Sequence, residues 1–256
     1  MHLLCSILAS VVRLFTWIAN TKQLCQETAG QMSIDSVKVA VDTVAFSVQQ
    51  GVLEVLLVKR KFEPFKSSWA LPGGFLEDKD QSLDEAAARE LLEETNVGNV
   101  YLEQLYSFGD KGRDPRGRTV TVAYLALLRQ EEFELRASSD ASGVAWWPVN
   151  ELPPLAFDHN EVVSYAHKRL KYKIEYSPAA FSLISGKFTL RDLQLVYEAV
   201  LGRAVDNRNF RKKFLNTGVL QELDETTQET SFRPARLYSF SEEDFERLPD
   251  RPVFVF

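Results

Sequence analysis

Cysteine is almost absent: the 256 residues hold two, Cys5 and Cys25, both within the first 25 positions. The rest of the chain therefore carries neither a disulfide framework nor a thiolate metal site, which fits a reducing cytoplasm. Positive charge is also in deficit, with 30 Lys and Arg against 36 Asp and Glu and a net charge of −6. Such a chain has no global attraction for nucleic acid, so any contact with DNA must come from a local basic surface. Membrane-spanning length is lacking too. The apolar run at 3–19 is interrupted by Arg13, falls short of the roughly 20 residues a spanning helix needs, and has neither the basic start nor the cleavage site of a signal peptide. Residues 1–31 are read as a disordered extension, or as a mis-assigned start, ahead of a domain that begins near Met32. A membrane-associated helix is the other reading, without stable insertion.

What is present is concentrated at 72–97, PGGFLEDKDQSLDEAAARELLEETNV. Pro72, Gly73 and Gly74 end an extended segment at 69–71 with backbone angles that side chains would obstruct, and a helix follows from about Ser82, capped by Ser82 with Glu85 three residues on. Glu90, Glu93 and Glu94 fall inside one arc of about 100° on that helix. The pattern assigns Ala88, Leu91, Leu92 and Thr95 to the face that packs on a core. Three carboxylates on one edge repel one another and call for a cation, and oxygen-only ligands select a hard one, Mg²⁺ or Mn²⁺. Arg89, one turn before Glu93, can orient a carboxylate and offset its charge.

Turn and helix together resemble the Nudix box: Gly, five residues, Glu, seven residues, then Arg-Glu-apolar-any-Glu-Glu-any-Gly-apolar. The segment from Gly74 to Arg89 is one residue longer than the usual pattern, so the first acidic position is Asp80 or, after the insertion, Gln81. Asn96 replaces the closing glycine, and asparagine tolerates the left-handed angles of a helix end. The resemblance implies that Arg89, Glu90, Glu93 and Glu94 carry catalysis, with Glu90, Glu93, Glu94 and the Gly74 carbonyl as metal ligands and Gly73 and Gly74 close to the substrate.

The flanking sequence reads as strands at 37–46, 52–59, 101–108, 118–128 and 144–149, the first two a hairpin and the fourth apolar enough to be buried on both faces. Asp42 is the acidic interruption of the first strand, and Asp158 with Glu161 marks the start of a helix to about Lys171. This gives an α/β fold, a mixed-sheet α/β/α sandwich, as the Nudix resemblance implies. The loop GDKGRDPRG and the residue after it supply Arg113, Arg116 and Arg118, whose guanidinium forks suit phosphate oxygens better than a bare hairpin tip requires, and Arg60 is a further candidate. With SFGD before it and TVTVAYLAL after it, the loop resembles that of Nudix proteins recognising ADP-ribose.

Beyond Ser177-Pro178 the grammar changes. Thr189 and Asp192 cap an amphipathic helix with Leu190, Leu193, Val196, Tyr197 and Val200 on one face and Gly202 as its stop. Asp206 caps a second, basic helix, with Arg208, Arg211 and Lys212 outward and Phe210, Phe214 and Leu215 inward, followed by strands at 219–223 and 234–240. Helix, turn, basic helix and hairpin spell a small winged helix-turn-helix, although Asp224, Glu225 and Glu229 make the wing acidic. RNFRKK and RPARLY resemble the C-terminal domain of bacterial Nudix-related transcriptional regulators, and this implies DNA contacts from Arg208, Arg211, Lys212, Lys213, Arg233 and Arg236. The expected division is 1–31 extension, 32–175 Nudix domain, 176–240 winged helix and 241–256 tail, the tail's apolar end docking on the body or a partner. The expected function is a cytoplasmic regulator, dimeric on operator DNA, responding to ADP-ribose or a related nucleoside diphosphate and retaining some Mg²⁺-dependent hydrolysis. The alternative is an ADP-ribose pyrophosphatase whose C-terminal domain serves dimerisation alone.

Overall fold

The computed structural model describes residues 36–137, 141–227, 234–248 and 254. The expectations for residues 1–31, for Glu229 and for Arg233 lie outside these. Strands β1 (Lys38–Gln49) and β2 (Val52–Arg60) form a hairpin across Gln50 and Gly51, both at positive φ, the conformation that a two-residue turn needs to follow the strand twist. β3 (Trp69–Ala70) pairs with β2, and β4 (Gly73–Phe75) pairs with the first half of β1, placing Gly73 opposite Asp42 and Gly74 opposite Val41. Helix α1 (Leu83–Thr95) follows, then β5 (Leu102–Phe108), β6 (Thr119–Leu127) and β7 (Ala141–Pro148). The order β3-β2-β1-β6-β5, with β7 also on β2, makes a mixed sheet in which β1 and β6 run parallel and the other pairs antiparallel.

Alternation along β1 divides the core. Val41 and Ala45 pack toward α1 with Ala86, Ala87 and Leu91, while Val44 and Phe46 face α2 (His159–Tyr176) and its Val162, Val163, Ala166 and Leu170. The buried face of α1 is therefore centred on Ala87 and Leu91. Ala88 and Leu92, expected inside, are exposed, Leu92 by 50%. The phase differs by one residue because Glu90 and Glu94 lie at the sheet margin, half-buried beside β4. Asp158 occupies the N-cap position of α2, but its carboxylate makes no capping bond, and the helix runs to Tyr176 rather than ending near Lys171.

The C-terminal elements continue the same apolar core. Helix α3 (Leu190–Leu201) is closed by a capping box between Thr189 and Asp192 and by Gly202, and buries the five apolar residues the stripe assigned together with Gln194. Gln194 donates to the Val205 carbonyl (3.0 Å), and Glu198 accepts the Val205 N–H (3.0 Å), which fixes the turn into α4 (Asn207–Thr217). Phe210 and Phe214 are fully buried, whereas Leu215, expected inward, is 47% exposed, because α4 meets its neighbours along the single i, i+4 stripe those two phenylalanines define. Strands β8 (Leu220–Thr226) and β9 (Arg236–Phe240) form the wing, and α5 (Glu242–Glu246) follows. Phe254 then turns back. Its ring stacks on Phe214 at 4.7 Å and 9°, and its N–H donates to the Glu175 carbonyl of α2.

Phe254 is 0% exposed, so Phe254→Ala should cost about 3–5 kcal/mol through lost transfer energy and the cavity left behind. Urea unfolding of the two proteins measures it, and a difference below about 1 kcal/mol would mean the ring is not a core residue.

Candidate functional site

The Pro72–Gly74 turn runs hard against the backbone of β1 at Gly73 and against the Glu90 carboxylate of α1 at Gly74. A Cβ on Gly73 would sit 2.2 Å from the Val41 carbonyl, and one on Gly74 would sit 2.2 Å from Glu90 Oε1. Gly73 is therefore required by the approach of backbone to backbone, whereas a side chain at Gly74 would displace only the flexible end of Glu90. Gly73 donates its N–H to Glu94 Oε2 at 3.0 Å. Burial raises the Glu94 carboxyl to about 8 against the opposing pull of that hydrogen bond, and raises Glu90 against the pull of Arg89.

Arg89 organises the remaining acids. Its Nε and one terminal nitrogen grip both oxygens of Asp80 at 2.7 and 2.8 Å, while the other terminal nitrogen donates to Glu90 (2.8 Å) and Glu93 (3.3 Å). Asp80 thus takes the first acidic place. Gln81 contributes only a backbone N–H, to Glu85. Ser82 caps α1 by accepting the Glu85 N–H, and Asn96 closes it at φ 65°. Among the described residues no three carboxylate, imidazole or thiol groups converge as a metal cage. Glu90 and Glu93 are held by Arg89, and Glu94 by Gly73. The donor set still suits a hard divalent cation: oxygen only, at one helix edge, with two half-buried acids lacking a full complement of positive charge.

Facing the acids is a cationic wall built on aromatic rings. The Arg116 guanidinium lies 4.7 Å from the Phe75 ring centre and 5.4 Å from that of Phe157, and Arg60 stands 4.9 Å from Phe157. Asp114 holds Arg116 through both oxygens, and the Pro64 carbonyl accepts from Arg60 Nε at 2.8 Å. Burial and the neighbouring charge of Arg116 lower the Arg60 pKa. Phe157 adopts φ 56°, a left-handed conformation that is strained for a bulky residue and is held here by the edge of Phe65, 4.9 Å away. A cavity of about 80 Å³ lies between Arg60, Phe75, Arg116 and His159, and another of about 210 Å³ adjoins it beside Glu94 and Phe62.

Two of the loop arginines depart from the expected phosphate grip. Arg113 touches the smaller cavity, but its side chain is only 5% exposed and is engaged by Asp158 (2.6 and 2.8 Å) and Asp42 (3.5 Å), so it braces the wall from behind. Arg118 lines neither cavity, and its carbonyl serves the Lys38 N–H at the head of the sheet. His159, missed in the sequence, accepts the Leu71 N–H at Nδ1 (2.9 Å), which leaves its proton on Nε2 facing Asp42 at 3.5 Å. Burial lowers its pKa and favours this neutral form. Asp42 was legible as an acid inside an apolar strand; its partners Arg113 and His159 were not.

On the winged helix, Arg208, Arg211 and Lys212 are exposed along α4 and Lys213 is half-buried. The exposed Arg236 pairs with Glu222 across the wing, and Lys187 with Glu225 at 2.7 Å, so part of the wing's acidity is internally compensated.

The Arg89 guanidinium holds Asp80 down to about 2, below its ordinary value of 3.8. A depressed acid contributes stability that is complete above about pH 4 and is lost as the pH falls through its folded value. Melting temperatures between about pH 5 and 2 should therefore drop less steeply for Asp80→Asn than for the wild type, and coincident acid limbs would dismiss this pair as a stability element.

The NUDIX domain family pattern matches residues 37–166, and that of the NrtR DNA-binding winged helix domain matches 180–240. A relative from Acinetobacter baylyi, the ADPR responsive transcriptional repressor NtrR, is 40% identical over 209 residues, covering 80% of this chain and 83% of its own. The ADP-ribose pyrophosphatase of Methanocaldococcus jannaschii is 38% identical over 117 residues, 44% of this chain and 68% of its own. The crystal structure of Shewanella oneidensis NrtR complexed with a 27mer DNA superposes with a TM-score of 0.72 at 36% identity, covering 84% of this chain and 97% of that one. The close-packed turn at Gly73 and the arginine shared among the box acids lie within the first matched stretch, and the basic helix under its wing within the second: the chain belongs to the Nudix family, in the branch that carries the NrtR winged helix domain.

Proposed function

We propose that this chain is a transcriptional regulator that binds operator DNA through its winged helix and ADP-ribose at the Nudix site. The observation that carries the reading is the exposed basic helix α4, whose Phe210 and Phe214 share one core with the sheet face opposite the box helix that holds Glu90 and Glu94. In this reading residues 32–175 form the ligand domain, 176–240 the DNA reader and 241–256 a tail that fastens the reader to α2. A homodimer would present two α4 helices to two half-sites, and ADP-ribose would act through its different affinity for the DNA-compatible and incompatible arrangements. The cytoplasm is the compartment proposed. No helix among the described residues is long and apolar enough to cross a membrane.

ADP-ribose carries a diphosphate between two ribose units, and the site offers it matching chemistry. Arg60 and Arg116 present guanidinium groups on aromatic supports, and Phe157 and Phe75 supply flat apolar surface. Arg113, with Asp42 and Asp158, fixes the loop that carries Arg116. Nudix hydrolases generally use divalent metals, and here Glu90, Glu93, Glu94 and the Gly74 carbonyl would hold Mg²⁺ or Mn²⁺. When bound, the cation would neutralise the diphosphate and lower the pKa of an attacking water. Arg89 sets the rotamers of Glu90 and Glu93 from its anchor on Asp80, and Gly73 orients Glu94. Hydrolysis would add water across the diphosphate to give AMP and ribose 5-phosphate.

A second reading, a pyrophosphatase whose C-terminal domain only dimerises, draws on the complete run Arg89-Glu90-Leu91-Leu92-Glu93-Glu94. Two measurements separate them. Chromatography after incubation with ADP-ribose and Mg²⁺ should give AMP from the wild type, with Glu93→Gln slower by roughly 100-fold or more, beyond the cost of an outer-shell partner. Fluorescence anisotropy on a duplex from upstream of the gene should show salt-sensitive binding that ADP-ribose shifts. AMP without DNA binding at low micromolar protein would favour the pyrophosphatase, and ligand binding without AMP would leave a pure sensor.

A further inference from the structure

Helix α2 starts at the ligand site with His159 and ends beneath the winged helix at Tyr176. Its second half reads HKRLKYK at 167–173, four bases without an acid in a chain whose net charge is −6. Lys173 is engaged by Glu103 of β5 at 2.6 Å. Lys168 and Arg169 are exposed and Lys171 is half-buried, and among the described residues none of the three forms an ion pair, not even Lys171 with Glu175 one turn on. A solvated helix face ordinarily alternates its charges or pairs them at i, i+4. Here Glu161 and Glu175 lie seven residues either side of Lys168 on the same face, yet neither pairs with it, and the run between them carries one sign alone.

Its position gives the pattern a use. His167 Nε2 lies 2.8 Å from the Val200 carbonyl in the last turn of α3, and the Tyr197 hydroxyl donates to the Ile174 carbonyl at 3.0 Å. The Lys171 ammonium stands 3.9 Å from where a Cβ on Gly202 would be. Gly202 opens the turn that leads into α4, so Lys171 of α2 stands beside the entrance to the helix carrying Arg208, Arg211 and Lys212, with Lys168 one turn before it on the same helix. In a helix-turn-helix the first part of the second helix enters the groove while the elements around it lie over the backbone. An unpaired cation beside that entrance is placed where such a backbone would pass.

Resting on the regulator reading above, we infer that Lys168, Arg169 and Lys171 form a phosphate-binding strip on α2, outside the winged helix, that extends the DNA footprint along the backbone. The contacts are sequence-independent. They strengthen binding to any duplex and add to its salt dependence, whereas α4 supplies discrimination.

The test is fluorescence anisotropy with the full chain over a salt series, on a labelled duplex from upstream of the gene and on a shuffled duplex of equal composition. The variant K168Q/R169Q/K171Q should bind both duplexes at least ~10-fold more weakly near physiological salt. The slope of log affinity against log salt should become shallower by about 0.9 for each lost contact, with the preference for one duplex over the other retained. Circular dichroism melts and calorimetric ADP-ribose titration check that the variant is folded, and Lys168→Gln alone, at an exposed position, should lose about one contact's slope. Unchanged affinity and slope in both variants would overturn the inference and leave the regulator reading intact. Failure of the wild type to bind either duplex overturns both. Vesicles containing phosphatidylglycerol run in parallel: binding to them that the triple variant loses, with DNA binding unaltered, would assign the strip to a membrane surface and overturn it as well.

Discussion

One guanidinium serves four carboxylates at the acidic edge of α1, and much of the site depends on how it divides itself. Arg89 spends its most directional interaction, the two-point grip, on Asp80 in the preceding loop, and reaches Glu90, Glu93 and Glu77 with what remains. The Asp80 pair ties the loop to the helix and keeps the side chain extended along the acidic edge. The weaker contacts can then be surrendered to a stronger cation without loss of the anchor. Glu94 lies beyond the arginine's reach and relies on a single backbone N–H, and its carboxyl is the one most strongly raised by burial. An acidic edge of this kind is stable enough to fold and incompletely neutralised, a combination that favours a site made to accept charge from outside.

The second constraint is the sharing of one helix between two tasks. α2 covers the face of the sheet opposite α1, contributes Asp158 and His159 to the ligand wall, and receives α3 and the tail along its later turns. Sheet, α2 and winged helix bury a continuous set of side chains, so a rotation of α2 at one end has no slack to absorb it before the other. The Arg113 pair at the N-terminal end of α2 lies against the ligand cavity, where an incoming diphosphate would add a competing anion.

Much of this was legible because it is local. The caps at Ser82, Thr189 and Asp206, the stop at Gly202 and the apolar stripe of α3 are decided by neighbours within one or two turns. The glycines of the box announce a close approach in the same way. Failures came where a distant partner decides. Arg113 reads as a free phosphate grip until Asp158, 45 residues later, is found to hold it, and the same bond removes Asp158 from the capping role its position suggests. The buried face of α1 lies one residue from where its apolar pattern puts it, because Glu90 and Glu94, ordinarily solvent-facing types, are drawn half inward beside the turn at Gly73 and Gly74. Phe157 and Phe75 carry no pattern at all. They become significant only when two arginines are brought over their rings.

Phe254 lies well past the wing, yet its ring fills the space behind α4 and its amide is tied to α2. Helix α4 is thus backed by a residue of the C-terminal segment on its buried side, away from the exposed Arg208, Arg211 and Lys212. Clipping or covering that segment would leave the basic face chemically intact while loosening its aim, so loss of DNA discrimination in this fold need not trace to any residue that meets DNA.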